Sequence, residues 1–279
     1  MNIIDVVTSA HSGSSGKGTS YWTEVSTCSR ASKLRRKHGD TLRLVKPNPK
    51  ANIGVMFHAI AEQYHLGKLT HDDIAWGMQS NLDADTLEAI RIALAYTQRY
   101  APDHFGKVLA TEKLIPSNEL ETMAIARMLG LDKPYTARID LVTYLDEERL
   151  AYLEQAHCLL LNGPGIYLVD HKTHGAIDSQ AQTHAELSVQ FLAYPLIWNA
   201  TQPEPCRGII ENNVVRHAKL AGKSFYLAFR ATQQDDLMML QRWVQWAHAQ
   251  EEADIPNLAA CRGKFGPCEF YTVGLCDRK

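Results

Sequence analysis

An aspartate and a lysine lie two residues apart in the segment LVDHKTH, at Asp170 and Lys172. The apolar residues before them predict a β-strand, and alternate residues of a strand project from the same face. A carboxylate is a ligand for Mg²⁺ or Mn²⁺, and an adjacent ammonium group can position water or neutralise charge on a phosphate. The pair is therefore suited to phosphodiester hydrolysis, although most Asp-x-Lys pairs are ordinary solvated strand charges.

Two further residues could complete a metal site with this pair. Asp140 interrupts the apolar strand pattern of YTARIDLV, and a carboxylate buried there needs a cation or a metal beside it. Arg138 on the same strand face is the simpler partner. His58 occupies an inward position of a helix that is predicted to begin near Gly54 and end at Gly67. A hydrogen-bonded core histidine is the simpler interpretation of His58, but together the four residues favour a metal-dependent hydrolase.

The elements that must position these residues follow the order helices, strands, helix, strand, helix. Apolar periodicity and capping residues predict helices at Gly54–Gly67, Asp85–Tyr100, Glu119–Leu129 (a short one), AELSVQFLAYPLIW and Asp235–Glu252. Short β-compatible segments predict strands at VLATEKLI, YTARIDLVTYL, GIYLVDHKT and RGIIENNVV. This order predicts an α/β fold with a small mixed sheet.

Composition limits the class of protein. The 279 residues are 45% hydrophobic and 22% charged, which indicates a globular chain and excludes a disordered or collagen-like one. No apolar run is long enough to cross a bilayer, and the first residues lack the features of a secretory signal. We therefore expect a cytoplasmic protein whose six cysteines are core residues or metal ligands rather than disulfides.

Charge is unevenly distributed along the chain. The formal net charge of −2 argues against a protein that coats nucleic acid indiscriminately. Lysines and arginines nevertheless outnumber acids strongly between Lys17 and Lys50. This basic segment could follow a nucleic-acid backbone, or it could be a solvated surface.

The motifs, taken in order, resemble the RecB-like branch of the PD-(D/E)xK nucleases, which includes AddB and the CRISPR adaptation nucleases. The G-x-x-x-H helix of that family corresponds to Gly54–His58, and its first acid corresponds to Asp140 in ARID. Its (D/E)-x-K strand corresponds to Asp170–Lys172, and its Q-x-x-x-Y helix matches Gln190 and Tyr194. Two departures are the missing glycine before Asp140 and a proline directly after Tyr194, which should distort that helix.

The resemblance implies a restriction-endonuclease-like α/β core, in which helices flank a central mixed sheet and a helical insertion is present. It implies one nuclease domain over residues 1–279: a basic segment (1–50), a helical part (51–105), the core (106–253) and a Cys-rich tail (254–279). By resemblance the divalent-metal ligands are His58, Asp140, Asp170 and the carbonyl of His171. Lys172 would be the catalytic lysine, Glu112 a further acid, and Gln190 and Tyr194 would touch phosphate or base.

Three cysteines, Cys261, Cys268 and Cys276, lie close together near the end of the sequence, and Cys28 lies far before them. The C-x2-C pairs typical of zinc knuckles are absent. By resemblance to the iron–sulfur members of the family, these four cysteines would hold a 4Fe–4S cluster that joins the N- and C-terminal segments. Cys158 and Cys206 fall outside this pattern and are expected to be ordinary apolar residues.

The implied function is metal-dependent cleavage of DNA, as an exonuclease that acts on single-stranded ends. The basic residues Arg30, Lys33, Arg35, Arg36 and Lys37 would contact the DNA backbone. A helicase, a recombinase or an annealing protein is the kind of partner implied, in DNA repair, phage recombination or CRISPR adaptation. One alternative is an inactive DNA-binding or helicase-partner protein of the same fold; another is an iron–sulfur electron carrier. DNA and RNA are not distinguished by these motifs.

Overall fold

A computed structural model describes residues 2–10, 19–34, 37–38, 49–175, 179–216 and 225–253. The chain separates into two compact units. The sheet unit comprises Met1–Gly13, Pro49–Ile115 and Arg138–Gln233. The helical unit comprises Ser14–Asn48, Pro116–Ala137 and Gln234–Lys279.

Five of the helices named here precede the first strand, and strands and helices then alternate as far as the fourth strand. The helices are α1 (Ile3–Ser9), α2 (Thr19–Thr27), α3 (Pro49–His65), α4 (His71–Gly77), α5 (Ala84–Arg99), α6 (Glu119–Met128), α7 (Glu147–His157), α8 (Ala181–Leu187), α9 (Val189–Thr201) and α10 (Asp236–Ala253). The strands are β1 (Lys107–Ile115), β2 (Ala137–Leu145), β3 (Gly165–His174), β4 (Cys206–Val215) and β5 (Phe225–Ala231).

The five strands form one mixed sheet in the order β1-β2-β3-β4-β5. β2 and β3 are antiparallel, β3 and β4 are parallel, and β4 and β5 are antiparallel. A parallel pair needs a crossover connection, and α8 and α9 supply it between β3 and β4. The expected α/β class, with a mixed sheet flanked by helices, is therefore confirmed.

The core of the sheet unit lies between the sheet and helices α3 and α5. Phe57, Tyr96 and Tyr167 are fully buried there. Asp83 begins α5 by accepting hydrogen bonds from the first backbone N–H groups of the helix. Gly67 follows α3 with φ of +66°, a conformation that glycine adopts without strain. Both helices thus begin or end close to where the sequence predicts.

The helical unit is held together by contacts between its long helix and residues distant in sequence. Tyr21 donates a hydrogen bond to Glu251, and Lys133 forms an ion pair with the same carboxylate at 2.7 Å. Gln241 of α10 donates to the carbonyl of Met128 at 2.6 Å.

Among the described residues of the chain, no helix is both long and apolar enough to span a membrane.

Acid should destabilise the sheet unit through His104, which is buried against the ring of Tyr100 and lies 3.3 Å from His157. Burial, followed by the neighbouring His157, lowers the pKa of His104 from 6.5 to about 3. Only the unfolded chain takes up this proton between those two pH values. The free energy of unfolding that depends on neutral His104 is therefore complete above pH 6.5. It decreases as the pH falls towards 3, by at most about 1.4 kcal/mol per pH unit.

We expect His104→Phe to reduce the difference in the free energy of unfolding between pH 7.5 and pH 4.5. Urea unfolding at the two pH values measures it. His71→Phe is the control, because this more exposed histidine has a threonine hydroxyl as its partner. An unchanged pH dependence in His104→Phe would show that the acid sensitivity arises elsewhere.

Candidate metal centre

Asp140 lies in β2, one residue before the segment of that strand that pairs with β3, and it contacts β3 through its side chain. The paired register runs from Leu145 opposite Gly165 to Leu141 opposite Val169. One residue further, the carboxylate Oδ2 of Asp140 accepts the backbone N–H of His171 at 2.8 Å. The strand that carries Asp170 and Lys172 thus holds the Asp140 carboxylate in place through its main chain.

His58 faces Asp140 from helix α3. Its Nδ1 lies 3.2 Å from Asp140 Oδ2, and 28% of its side chain is exposed. Burial alone would lower the pKa of His58, but the Asp140 carboxylate raises it above its ordinary value. Burial would likewise raise the pKa of Asp140, yet His58 holds it well below its usual range. The histidine is therefore part of a polar site rather than a core residue.

Glu112 reaches the same place from β1. Its φ is +45°, which is uncommon for a residue with a side chain. Burial, followed by repulsion from Asp140, raises the pKa of Glu112 to about 7. Arg138 lies 3.7 Å from Glu112. The simpler interpretation of the sequence, in which Arg138 pairs with Asp140, is therefore wrong.

His58, Glu112 and Asp140 each offer one ligand atom, and these three atoms lie within 4.8 Å of one another. Small side-chain adjustments would let one cation contact all three. Carboxylate oxygens suit Mg²⁺ and Mn²⁺, and an imidazole nitrogen is a better ligand for Mn²⁺ than for Mg²⁺. This donor set fits a divalent cation, and we call these three residues the metal triad.

Asp170 and Lys172 form a tight pair beside the metal triad. Lys172 Nζ lies 2.7 Å from Asp170 Oδ2, and Asp170 is almost completely buried. Burial raises the pKa of Asp170 to about 6, against the opposing effect of Lys172. Burial would lower the pKa of Lys172, but Asp170 and Asp140 raise it. The side chains share one face as predicted, and Asp170 faces the lysine instead of joining the triad.

Gln190 connects this pair to helix α9. Its Oε1 accepts a hydrogen bond from Lys172 at 3.0 Å, and its Nε2 lies 2.8 Å from Asp170 Oδ1. The same Nε2 lies 2.7 Å from the hydroxyl of Tyr194, one turn along the helix. Pro195 does not end α9, which continues to Thr201. The predicted Q-x-x-x-Y pair therefore lies against the Asp-x-Lys strand.

The side chain of His171 packs edge to face against His58, with 6.1 Å between ring centroids, and is held by two further partners. Its ring stacks on His65 with 5.7 Å between ring centroids, and its Nδ1 lies 2.9 Å from the amide nitrogen of Asn212. Burial lowers the pKa of His171 to about 3. The imidazole thus fixes the strand, and metal binding by the His171 carbonyl stays a prediction.

Sequence reasoning did not select Glu62, although it is one helical turn after His58. Its Oε1 accepts a hydrogen bond from the hydroxyl of Thr111, the neighbour of Glu112. The His-x-x-x-Glu spacing was the available signal, because residues four apart share a helix face. Glu62 links α3 to β1 and supports the position of two triad residues.

The other predicted site residues belong to the helical unit or lie outside the described residues. Arg30, Lys33 and Cys28 are half-buried, and Lys37 is exposed. The predictions for Arg35, Arg36, Cys261, Cys268 and Cys276 fall on residues that the structure does not describe.

Comparisons with protein-family models, with curated proteins and with solved structures give no match to this chain.

Proposed function

We propose that this protein is a divalent-metal-dependent deoxyribonuclease that hydrolyses phosphodiester bonds, acting as an exonuclease on single-stranded ends. The observation that carries the proposal is the convergence of His58, Glu112 and Asp140 within 4.8 Å. The ammonium group of Lys172 lies beside this group and is already oriented by Asp170 and Gln190. Metal-dependent hydrolysis of a phosphodiester can use both features, a cation site and a fixed positive donor.

The metal triad would hold Mg²⁺ or Mn²⁺. When bound, the cation would supply Lewis acidity towards a phosphate oxygen and would make water more acidic. Asp140 is restrained by the backbone N–H of His171, so its carboxylate needs little reorganisation to bind. Asp170 as a further ligand stays a prediction, and its Oδ2, which lies 2.7 Å from the ammonium group of Lys172, would have to exchange that partner for the cation.

Lys172 would act on the phosphate and on the attacking water. About a third of its side chain is exposed, so its ammonium group can meet a substrate. Its Nζ donates to Gln190 and lies against Asp170, which leaves a proton free to donate to a phosphate oxygen. Such a fixed donor stabilises the negative charge that develops during phosphate transfer.

A cleavage assay tests the proposal. End-labelled single-stranded and double-stranded DNA, with a matched RNA, would be incubated with Mg²⁺, Mn²⁺ or EDTA. We expect loss of label from single-stranded DNA ends in both metals and none in EDTA. The Asp140→Asn protein, purified in parallel, controls for contaminating nucleases. DNA binding without cleavage would instead favour the inactive DNA-binding protein of the same fold.

Gln190→Ala should lower kcat on single-stranded DNA by about ten- to a hundredfold, because hydrogen bonds to charged groups are worth about 1.5–3 kcal/mol. KM should change little, since Gln190 orients Lys172 and Asp170 instead of supplying charge. Steady-state kinetics on a labelled oligonucleotide separate the two constants. Tyr194→Phe is the matched control on the same helix face and should have a smaller effect. An equal loss in both variants would argue that the helix as a whole, not the amide, matters.

We also propose the 4Fe–4S cluster on Cys28, Cys261, Cys268 and Cys276, of which the structure describes Cys28 alone. Anaerobically purified protein should be brown, absorb broadly and contain iron instead of zinc. Cys268→Ser should lose the iron and become protease-sensitive near both ends, because metal binding and local folding are coupled. Cys158→Ser, at an exposed cysteine, should keep it. Colourless, zinc-loaded protein with full activity would contradict the cluster.

A further inference from the structure

Arg216 is a cation for which the described residues supply no counterion. It directly follows β4, and its side chain is half-buried. Its Nε is fully enclosed and meets no hydrogen-bond acceptor, and no carboxylate of the described residues pairs with its guanidinium. Enclosing a charged group without a partner is costly. An anion that is not part of the described chain is the natural partner for this group.

Arg216 lies at the same end of the sheet as Lys172. β3 and β4 are parallel, with Lys172 opposite Asn213, and the backbone N–H of Arg216 donates to the carbonyl of His174 at 2.8 Å. Arg216 is therefore three residues beyond the level of Lys172, a rise of about 10 Å. A polynucleotide strand, which carries a phosphate at every residue, could meet the two positions with different phosphates.

The guanidinium lies beside Gly175, the residue that directly follows β3. A Cβ atom placed on Gly175 would lie 3.6 Å from the terminal nitrogen Nη2 of Arg216. A Cβ on Gly54, one turn before His58, would lie 3.2 Å from the hydroxyl of Thr173. Arg216 and helix α3, which carries the histidine of the metal triad, thus both lie close to the end of β3.

We propose that Arg216 binds a second phosphate of the nucleic-acid strand, at a position separate from the phosphate that is cleaved. This inference rests on the proposed nuclease function and specifies its substrate class: a polynucleotide with at least two phosphates, in place of a mononucleotide or a simple phosphodiester. A planar guanidinium binds phosphate through two parallel hydrogen bonds. An enclosed Nε is consistent with a fixed guanidinium that is oriented before the strand arrives.

The test measures binding of a fluorescent single-stranded oligonucleotide as a function of salt, in EDTA so that no cleavage occurs. Each phosphate contact contributes about 0.7 to the slope of log affinity against log salt for a single strand. Arg216→Ala should lower the affinity about tenfold and the slope by about 0.7. Arg216→Lys should keep most of the slope. Arg207→Ala is the matched control, because Arg207 lies near the opposite end of β4 and is exposed.

Two further measurements exclude a structural role for Arg216. Arg216→Ala should unfold at the same temperature as the wild type or a higher one, since it removes an enclosed unpaired charge. Inorganic phosphate should raise the unfolding temperature of the wild type more than that of this variant. In cleavage assays, KM for an oligonucleotide should rise while hydrolysis of thymidine 5′-(4-nitrophenyl phosphate) stays unchanged.

An unchanged salt slope in Arg216→Ala, or a loss equal to that of Arg207→Ala, would overturn the inference. If Arg216→Ala unfolds at a lower temperature and responds to phosphate as the wild type does, Arg216 has a structural role. That result would also overturn the inference. The binding arm needs no cleavage. If DNA is not cleaved but Arg216→Ala lowers the salt slope of binding, only the proposed hydrolysis is rejected. If DNA is cleaved but the salt slope of Arg216→Ala is unaltered, only the Arg216 site is rejected.

Discussion

Lys172→Ala is expected to lower the rate of DNA cleavage by about a hundred- to a thousandfold, the usual effect of removing one fixed donor to a developing charge. The ammonium group of Lys172 is held by Asp170 at 2.7 Å and by Gln190 at 3.0 Å, so water cannot reproduce its position. DNA affinity should change little, because the lysine would be one of several cationic residues proposed to contact DNA. Single-turnover cleavage and fluorescence anisotropy measure the two quantities separately.

Lys107→Ala is the control for Lys172→Ala, because Lys107 is an exposed lysine at the start of β1. It should cleave DNA at the wild-type rate. Wild-type cleavage by the Lys172 variant would remove this lysine from the proposed reaction.

Asp140→Asn should lower metal affinity by more than about a hundredfold and abolish cleavage, since it removes the charge at the centre of the metal triad. Asparagine is chosen because its Oδ1 can still accept the backbone N–H of His171, so the strands should keep their spacing. Mn²⁺ binding, followed by calorimetry or electron paramagnetic resonance, checks the metal site independently of activity.

Asp103→Asn is the matched change at a surface aspartate that pairs with Arg149, and it should leave Mn²⁺ binding unaltered. Equal Mn²⁺ affinity in wild type and Asp140→Asn would show that His58, Glu112 and Asp140 do not form the cation site. The two chemical proposals can therefore fail separately, one at Lys172 and one at the triad.

Periodic patterns in the sequence predict the long elements of the fold well. The helix predicted at Asp85–Tyr100 is observed at Ala84–Arg99, and the one predicted at Asp235–Glu252 at Asp236–Ala253. Helix α7 was missed, because it is largely polar and buries only Leu153. The helix predicted through AELSVQFLAYPLIW is two helices, because Ser188 ends α8 and caps α9.

Spacing within one element also predicts proximity in the site. Asp170 and Lys172 share a strand face, and Gln190 and Tyr194 share a helix face, as their separations of two and four residues require. Contacts between elements could not be predicted in this way. The pairing of Arg138 with Glu112 depends on how β1 meets β2 and on the backbone conformation of Glu112, and neither has a signature in the local sequence.

The left-handed backbone of Glu112 makes thermal stability and cation binding compete at this position. A residue with a side chain pays about 1–3 kcal/mol for such a conformation, whereas glycine adopts it freely. Selection for heat resistance alone should therefore favour Glu112→Gly, which relieves the backbone and discards one triad carboxylate. Selection for the cation site should instead keep the glutamate despite its cost in stability. A programme that engineers the protein for thermal tolerance should therefore leave Glu112 unaltered if cation binding is to be kept.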